Sequence, residues 1–167
     1  MDIFHTLGWK EIALRLGSAV FAGAVLGLNR ELRGKPAGLR TNALVSLGAA
    51  LLVLAGVGLA AGTDAARQAD VVSRAMQGII TGIGFLGAGV ILRDPGGTQV
   101  HGITTAATIW LTAALGVLCG VGMWTLALLG AAITLVVLIL GSPLERFLHR
   151  KIPKLSEHVR DETPRRG

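Results

Sequence analysis

Between Asp94 and Glu145 the chain contains no Asp, Glu, Lys or Arg. Fifty consecutive uncharged residues, most of them apolar, cannot form the surface of a water-soluble domain. They are long enough to cross a bilayer twice, at about 20 residues per helix. The rest of the chain agrees. Only 16% of its 167 residues are charged and the mean hydropathy is +0.62, whereas soluble domains carry about 25% charged residues. The length suits one domain.

Five apolar runs stand out, at about 12–28, 42–61, 75–92, 102–120 and 123–142. Each is close to the length of a membrane-spanning helix, and each is continuously apolar, whereas barrel strands alternate with a period of two. The expected fold is an all-α membrane protein, a compact bundle of about five transmembrane helices over 12–142. A short N-terminal segment, 1–11, precedes it. A basic tail, 143–167, follows, in which 144–151 suits an interfacial helix before Pro153 and Pro164. The third and fourth runs are so rich in Gly and Thr that a broken or re-entrant path is the alternative to a plain helix.

The net charge of +6 is unevenly placed. Arg30, Arg33, Lys35 and Arg40 crowd the connection at 29–41, and seven Lys or Arg follow Pro143. Because these clusters flank apolar runs, they read as topology signals rather than a nucleic-acid footprint. The connection at 62–74 carries only Arg67 and Arg74, so the consistent orientation is N-terminus outside and C-terminus in the cytoplasm. Trp9 and Trp124 suit the outer interface, and Trp110, in mid-run, suits packing between helices. "MDIFHTLGWK" has no secretory-signal character. The single cysteine, Cys119, excludes an internal disulfide.

Residues 78–92 read "GIITGIGFLGAGVIL". Lipid tails are as apolar as leucine, so helices in a bilayer gain most from close backbone approach, which small residues permit. Gly78 and Gly82 are four apart, Gly89 falls near the same face, and Gly84 and Gly87 open a second one. The first run offers Ala19, Gly23 and Gly27, and the fourth Gly116 and Gly120. These spacings predict tight packing with the third helix central, and at least one face left for another copy of the chain, as a homo-oligomer, or for a partner helix.

Ionisable groups inside spans are functional candidates by default. Arg15 lies one turn into the first run, where it can snorkel or pair with Glu11, and Asp70 and Arg74 form an i,i+4 pair before the third. Thr104, Thr108 and Thr112, with Thr105 beside them, make a hydroxyl stripe. Such hydroxyls bond their own helix, bond across helices, or line a hydrated seam. The carboxylates open to a divalent cation, Glu31, Asp70 and Asp94, all sit at run ends rather than inside them. Hard cations want oxygen ligands, so this placement counts against a dedicated Mg²⁺ path. No Walker loop, nucleophile–base pair or metal-ligand spacing appears, so neither an enzyme nor a cofactor is expected. The connection "NRELRGKPAGLRTN" is the densest candidate: its cations suit anionic headgroups or an acidic surface, and Gly34, Pro36 and Gly38 impose a turn.

Three stretches, "GLNRELRGKPAGLRTNALVSLGAALL", "GIGFLGAGVILRD" and "GITTAATIWLTAALGVLCG", occur in the order found in the MgtC/SapB family of bacterial membrane proteins, which the chain resembles over most of 12–142. The resemblance implies a bacterial inner-membrane protein linked to growth when Mg²⁺ is scarce. It also implies inhibition of the proton-translocating ATP synthase by membrane contact as a candidate activity. The family's recurring positions map onto Asn29, Arg30, Glu31, Gly38, Leu39, Arg40, Thr41, Asp70, Arg74, Gly82, Gly84, Gly87, Gly89, Thr105, Trp110 and Gly116. Many relatives carry Glu where Asn29 stands, and MgtC-like members continue into a folded domain where this chain has about 25 residues. The expectation is a non-enzymatic protein acting by helix–helix association in ion and energy homeostasis. A transporter or channel for Mg²⁺ or another cation is the alternative.

Overall fold

The computed structural model describes residues 3–93 and 100–151. They form five long helices, α1 (Ile3–Leu32), α2 (Leu39–Leu59), α3 (Ala65–Val90), α4 (Ile103–Val121) and α5 (Trp124–Lys151). Each contains a stretch long and apolar enough to cross a membrane. The third and fourth runs are continuous helices. A two-residue antiparallel ribbon, β1 (Leu92–Arg93) with β2 (Val100–His101), joins α3 to α4.

The helix ends follow local chemistry. Gly102 and Gly122, at φ 91° and 102°, bracket α4 in left-handed conformations that a side chain would strain. The Asp64 carboxylate caps α3 by accepting from the Arg67 N–H at 2.9 Å. Gly8, at φ 69°, kinks α1 within the segment expected to precede the first span.

Two units are distinguished, Met1–Ala132 and Ile133–Gly167. In the first, α2 and α4 lie at the centre; α1 packs along both, and α3 packs on α4 and α2. The register of α2 against α4 is constant: Asn42 meets Thr112, Ser46 meets Gly116 and Ala50 meets Gly120, so the two helices run parallel. On α1, Gly23 meets Asn42 and Gly27 meets Gly38, which makes α1 antiparallel to both.

Close approach is the packing principle. The carbonyls of Gly38, Asn42, Ser46 and Ala50 form one ridge along α2, each four residues from the last. A glycine of a neighbouring helix covers every one of them. A Cβ on Gly27 would lie 2.6 Å from the Gly38 oxygen, and one on Gly120 2.8 Å from that of Ala50. Gly23 and Gly116 sit on the Asn42 and Ser46 carbonyls in the same way. Backbones this close gain dispersion and Cα–H···O contacts that any side chain would forbid. The faces Ala19–Gly23–Gly27 and Gly116–Gly120 are therefore used inside the chain.

The expectation that the glycine-rich third helix is central is corrected. Ile83 is the buried residue of α3. Gly78, Gly82, Gly84 and Gly89 have no other atom within 4 Å of where a Cβ would stand, and Gly87 has only the Ala106 Cβ, at 3.7 Å. The α2 ridge is already covered by glycines of α1 and α4, so α3 packs instead through its large residues. Met76, Ile79, Ile83 and Val90 meet a core of Ala49, Val53, Ile109, Ala113 and Val117. Small residues permit approach; they do not name the partner.

In the second unit the helix continues to Lys151 with Pro143 inside it. The tail beyond 151 lies outside the described residues, as does Asp94.

Candidate functional site

Consecutive residues at the end of α1 organise the basic connection. Arg30 is 4% exposed. Its guanidinium donates to the Pro36 carbonyl, at 3.3 and 3.4 Å, and to the Thr105 hydroxyl in the first turn of α4. Glu31 turns outward, and its carboxylate accepts the Leu39 N–H at 2.9 Å. It thereby caps α2, where Gly38 has no side chain to do so. Asn42, wholly buried, donates its amide to the carbonyls of Ala37 (2.6 Å) and Gly38 (3.1 Å). Ala37 sits in the left-handed region, at φ 57°. These bonds latch residues 33–38 against α2 and α4, while Arg33, Lys35 and Arg40 are exposed at the same end.

The polar seam continues inward. The Asn42 Oδ1 accepts from the Thr112 hydroxyl at 2.8 Å, bridging α2 and α4. The Thr108 and Thr112 hydroxyls also point to the carbonyls four residues back, at 2.7 and 2.8 Å. Thr105, Thr108 and Thr112 are buried, whereas Thr104 is exposed. The Ser46 hydroxyl, buried between Gly23 and Gly116, has no hydrogen-bond partner. The stripe is thus a closed, packed seam rather than an open path.

At the other end of α1, Arg15 pairs with Glu11 at 2.7 Å and donates to the Gly120 carbonyl at 3.0 Å. It lies over Gly122, whose missing side chain leaves room for it. A cation there also suits the negative end of the α4 dipole. Fifteen residues separate Arg15 from Arg30 on α1, and fifteen separate Thr105 from Gly120 on α4. One arginine therefore grips each end of α4.

The remaining candidates stand apart. Asp70 and Arg74 pair at 2.9 Å on the exposed surface of α3. Asn29 is half-buried, and Thr41 is exposed. Among the described residues no three His, Cys, Asp or Glu stand close enough to hold a metal ion. Asp70 faces its arginine and Glu31 caps α2, so the described carboxylates do not fit a Mg²⁺ cage.

Between α3 and α4 runs an apolar groove, in two parts of about 260 and 350 Å³. Ile83 and Trp110 line both parts. Trp110 is 46% exposed, so it faces this groove instead of being packed away between helices.

Sequence reasoning did not single out Asn42 and Ser46. The signal was present: Asn42 opens a run of twenty uncharged residues, and an amide at the edge of hydrocarbon must find partners.

Known proteins fit this architecture. The MgtC family model matches residues 16–147. Protein SrpB of Synechococcus elongatus is 47% identical over 136 residues, 78% of this chain and 74% of SrpB. Protein MgtC of Salmonella typhimurium is 44% identical over 125 residues, 75% of this chain but 48% of MgtC. YhiD of Escherichia coli, whose name carries a provisional magnesium-transporter designation, is 40% identical over 130 residues, 77% of this chain and 59% of YhiD. The chain thus spans about half the length of MgtC and three-fifths of YhiD. No solved structure matches. With most of the bundle inside the family model and these identities beside it, the chain belongs to the MgtC family.

Proposed function

We propose that this chain is a multi-pass protein of the bacterial inner membrane, non-enzymatic and without a resident cofactor, that acts by docking a membrane helix on the open glycine face of α3. Its role is in ion and energy balance when Mg²⁺ is scarce. One observation carries the reading: Gly23 and Gly27 of α1 and Gly116 and Gly120 of α4 are filled by α2 and its cap, while Gly78, Gly82 and Gly89 meet nothing. A bare helix face in lipid favours close helix–helix contact. The occupant is a second copy of the chain, giving a dimer, or a membrane helix of the ATP synthase. The family and the magnesium-related name of one relative support the setting.

The transport reading competes because of that name. It would need a path, and the threonine stripe is packed shut, with no described carboxylate inside the bundle. Two measurements separate the readings. Gly78→Leu with Gly82→Leu is expected to abolish growth in low Mg²⁺ and recovery of the partner after mild solubilisation, at unchanged membrane levels. Analytical ultracentrifugation of the purified chain distinguishes self-association from recovery of ATP synthase subunits. Growth and assembly left intact would overturn the association reading. Mg²⁺ influx into dye-loaded liposomes holding the purified chain would establish transport in its place.

A further inference from the structure

Residues 38–58 read "GLRTNALVSLGAALLVLAGVG" and residues 102–122 read "GITTAATIWLTAALGVLCGVG". Aligned without a gap, 64 residues apart, they are identical at 12 of 21 positions, and both segments begin one residue before a helix, α2 or α4. The same offset pairs Phe21, Gly23, Ala24 and Leu28 of α1 with Phe85, Gly87, Ala88 and Leu92 at the end of α3 and just beyond it. We infer that the four-helix core is one helix hairpin present twice, α1–α2 and α3–α4, and that Trp110, standing where the first copy has Ser46, wedges the second copy open.

Contacts inside the hairpins obey this offset, whereas the contact between them is displaced: Asn42 with Thr112, Ser46 with Gly116 and Ala50 with Gly120 are 70 apart, so one copy is slid about six residues along the other. Equivalent residues of α2 and α4 are buried in one cluster, Ala49 with Ala113 and Val53 with Val117. Val45 and Val57 flank that core with their equivalents Ile109 and Val121. The packing order of the helices matches as well. α1 packs on α2 and crosses to α4; α3 packs on α4 and crosses to α2. Gly23 sits on Asn42, and its equivalent Gly87 lies nearest to Ala106, the equivalent of Asn42.

The copies differ at one place. In the first, a Cβ on Gly23 would stand 2.9 Å from the Ser46 Cβ, and α1 is seated on α2. In the second, the indole of Trp110 replaces that small hydroxymethyl group. Gly87 keeps only the 3.7 Å neighbour, and the groove opens on both sides of Trp110. The asymmetry of the bundle, one sealed hairpin and one open, follows from the size of this side chain. The inference stands on the repeat and its contacts and does not depend on the proposed function.

The test uses the full chain with Cys119→Ala, in liposomes of Escherichia coli polar lipids. Spin labels on Phe85→Cys of α3 and Leu44→Cys of α2, both exposed, report the position of α3. Packed helices stand about 8–10 Å apart, so removing the wedge with Trp110→Ser is expected to shorten the label distance by about 2–3 Å. Trp110→Phe should leave it near its starting value. A reference pair on Phe21→Cys and Leu44→Cys should not move. An unchanged Phe85–Leu44 distance in Trp110→Ser, with the reference pair intact, would overturn the wedge. Should Trp110→Ser fail to fold, Trp110→Ala is read by the same criterion.

Discussion

Asn42 shows how much one side chain does in this bundle. Its amide holds the carbonyls of Ala37 and Gly38, and its oxygen takes the Thr112 hydroxyl. Asn42→Ala removes the side-chain donor to the Ala37 and Gly38 carbonyls and the acceptor across from Thr112, whose hydroxyl keeps the Thr108 carbonyl, so a loss of about 1–3 kcal/mol is expected. Thr112→Val removes only the bridge and keeps the volume, and interhelical hydrogen bonds in membranes average about 0.6 kcal/mol. Denaturation in mild detergent, monitored by circular dichroism, should therefore rank Asn42→Ala well below Thr112→Val; equal effects would mean that the loop bonds contribute nothing. Glycines give a second contrast. Gly23→Ala forces a methyl into the Asn42 carbonyl, an overpacking that costs about 1–3 kcal/mol. Gly82→Ala meets open space and gains helix propensity, up to about 1 kcal/mol. The same melts should show Gly23→Ala destabilised and Gly82→Ala unchanged or stabilised. A loss at Gly82 equal to that at Gly23 would place α3 inside the packed core after all.

At the scale of elements, the five helices were legible because a bilayer demands about 20 apolar residues per crossing and satisfied backbone throughout. Which helix packs on which was not. The spacing Ala19–Gly23–Gly27 and the spacing Gly78–Gly82 look alike in sequence, yet the first lies on a carbonyl ridge and the second on nothing. That difference is set by α2, whose ridge has room for two neighbours and whose partners cannot be read from glycines alone. The bridge from Arg30 to Thr105 was equally hidden: both residues were candidates, but 75 positions separate them. Their role becomes clear in the pairing of α1 with α4. Arg15 and Arg30 fix that pairing at both ends, so either one alone should hold the register less firmly. Arg15→Leu leaves the Glu11 carboxylate and the Gly120 carbonyl without their donor, and it should lower stability by about 1–3 kcal/mol. In double-mutant cycles the Arg15→Leu and Glu11→Gln effects should be strongly non-additive, because both remove one interaction. Additive losses would show that Arg15 acts through Gly120 alone.

For the molecule as a whole, the decisive asymmetry is charge along the membrane normal. Arg30, Arg33, Lys35 and Arg40 stand at the end where α1 turns into α2, and the segment after Pro143 carries seven more cations. Both follow an odd number of apolar runs in the sequence, and five crossings would put them on one side of the membrane, the arrangement that the bias of positive charge toward the cytoplasm favours. The α2–α3 connection, with Thr63 and the Asp64 cap, would then fall on the opposite side. Burial sharpens the argument. Arg30 is fixed in the latch by Pro36 and Thr105, so turning the bundle over would carry a structural cation, not a loose one, to the outer face. Single cysteines at Lys35 and at Thr63, in a chain carrying Cys119→Ala, should divide cleanly with a membrane-impermeant maleimide. Lys35→Cys should react in inverted vesicles and not in intact spheroplasts, and Thr63→Cys should do the reverse. The opposite pattern would refute the orientation, and labelling of both sites from both sides would show that the chain inserts in two directions. Neutralising Lys35 and Arg40 together, both with exposed side chains, should increase that second population without lowering the stability of correctly inserted molecules.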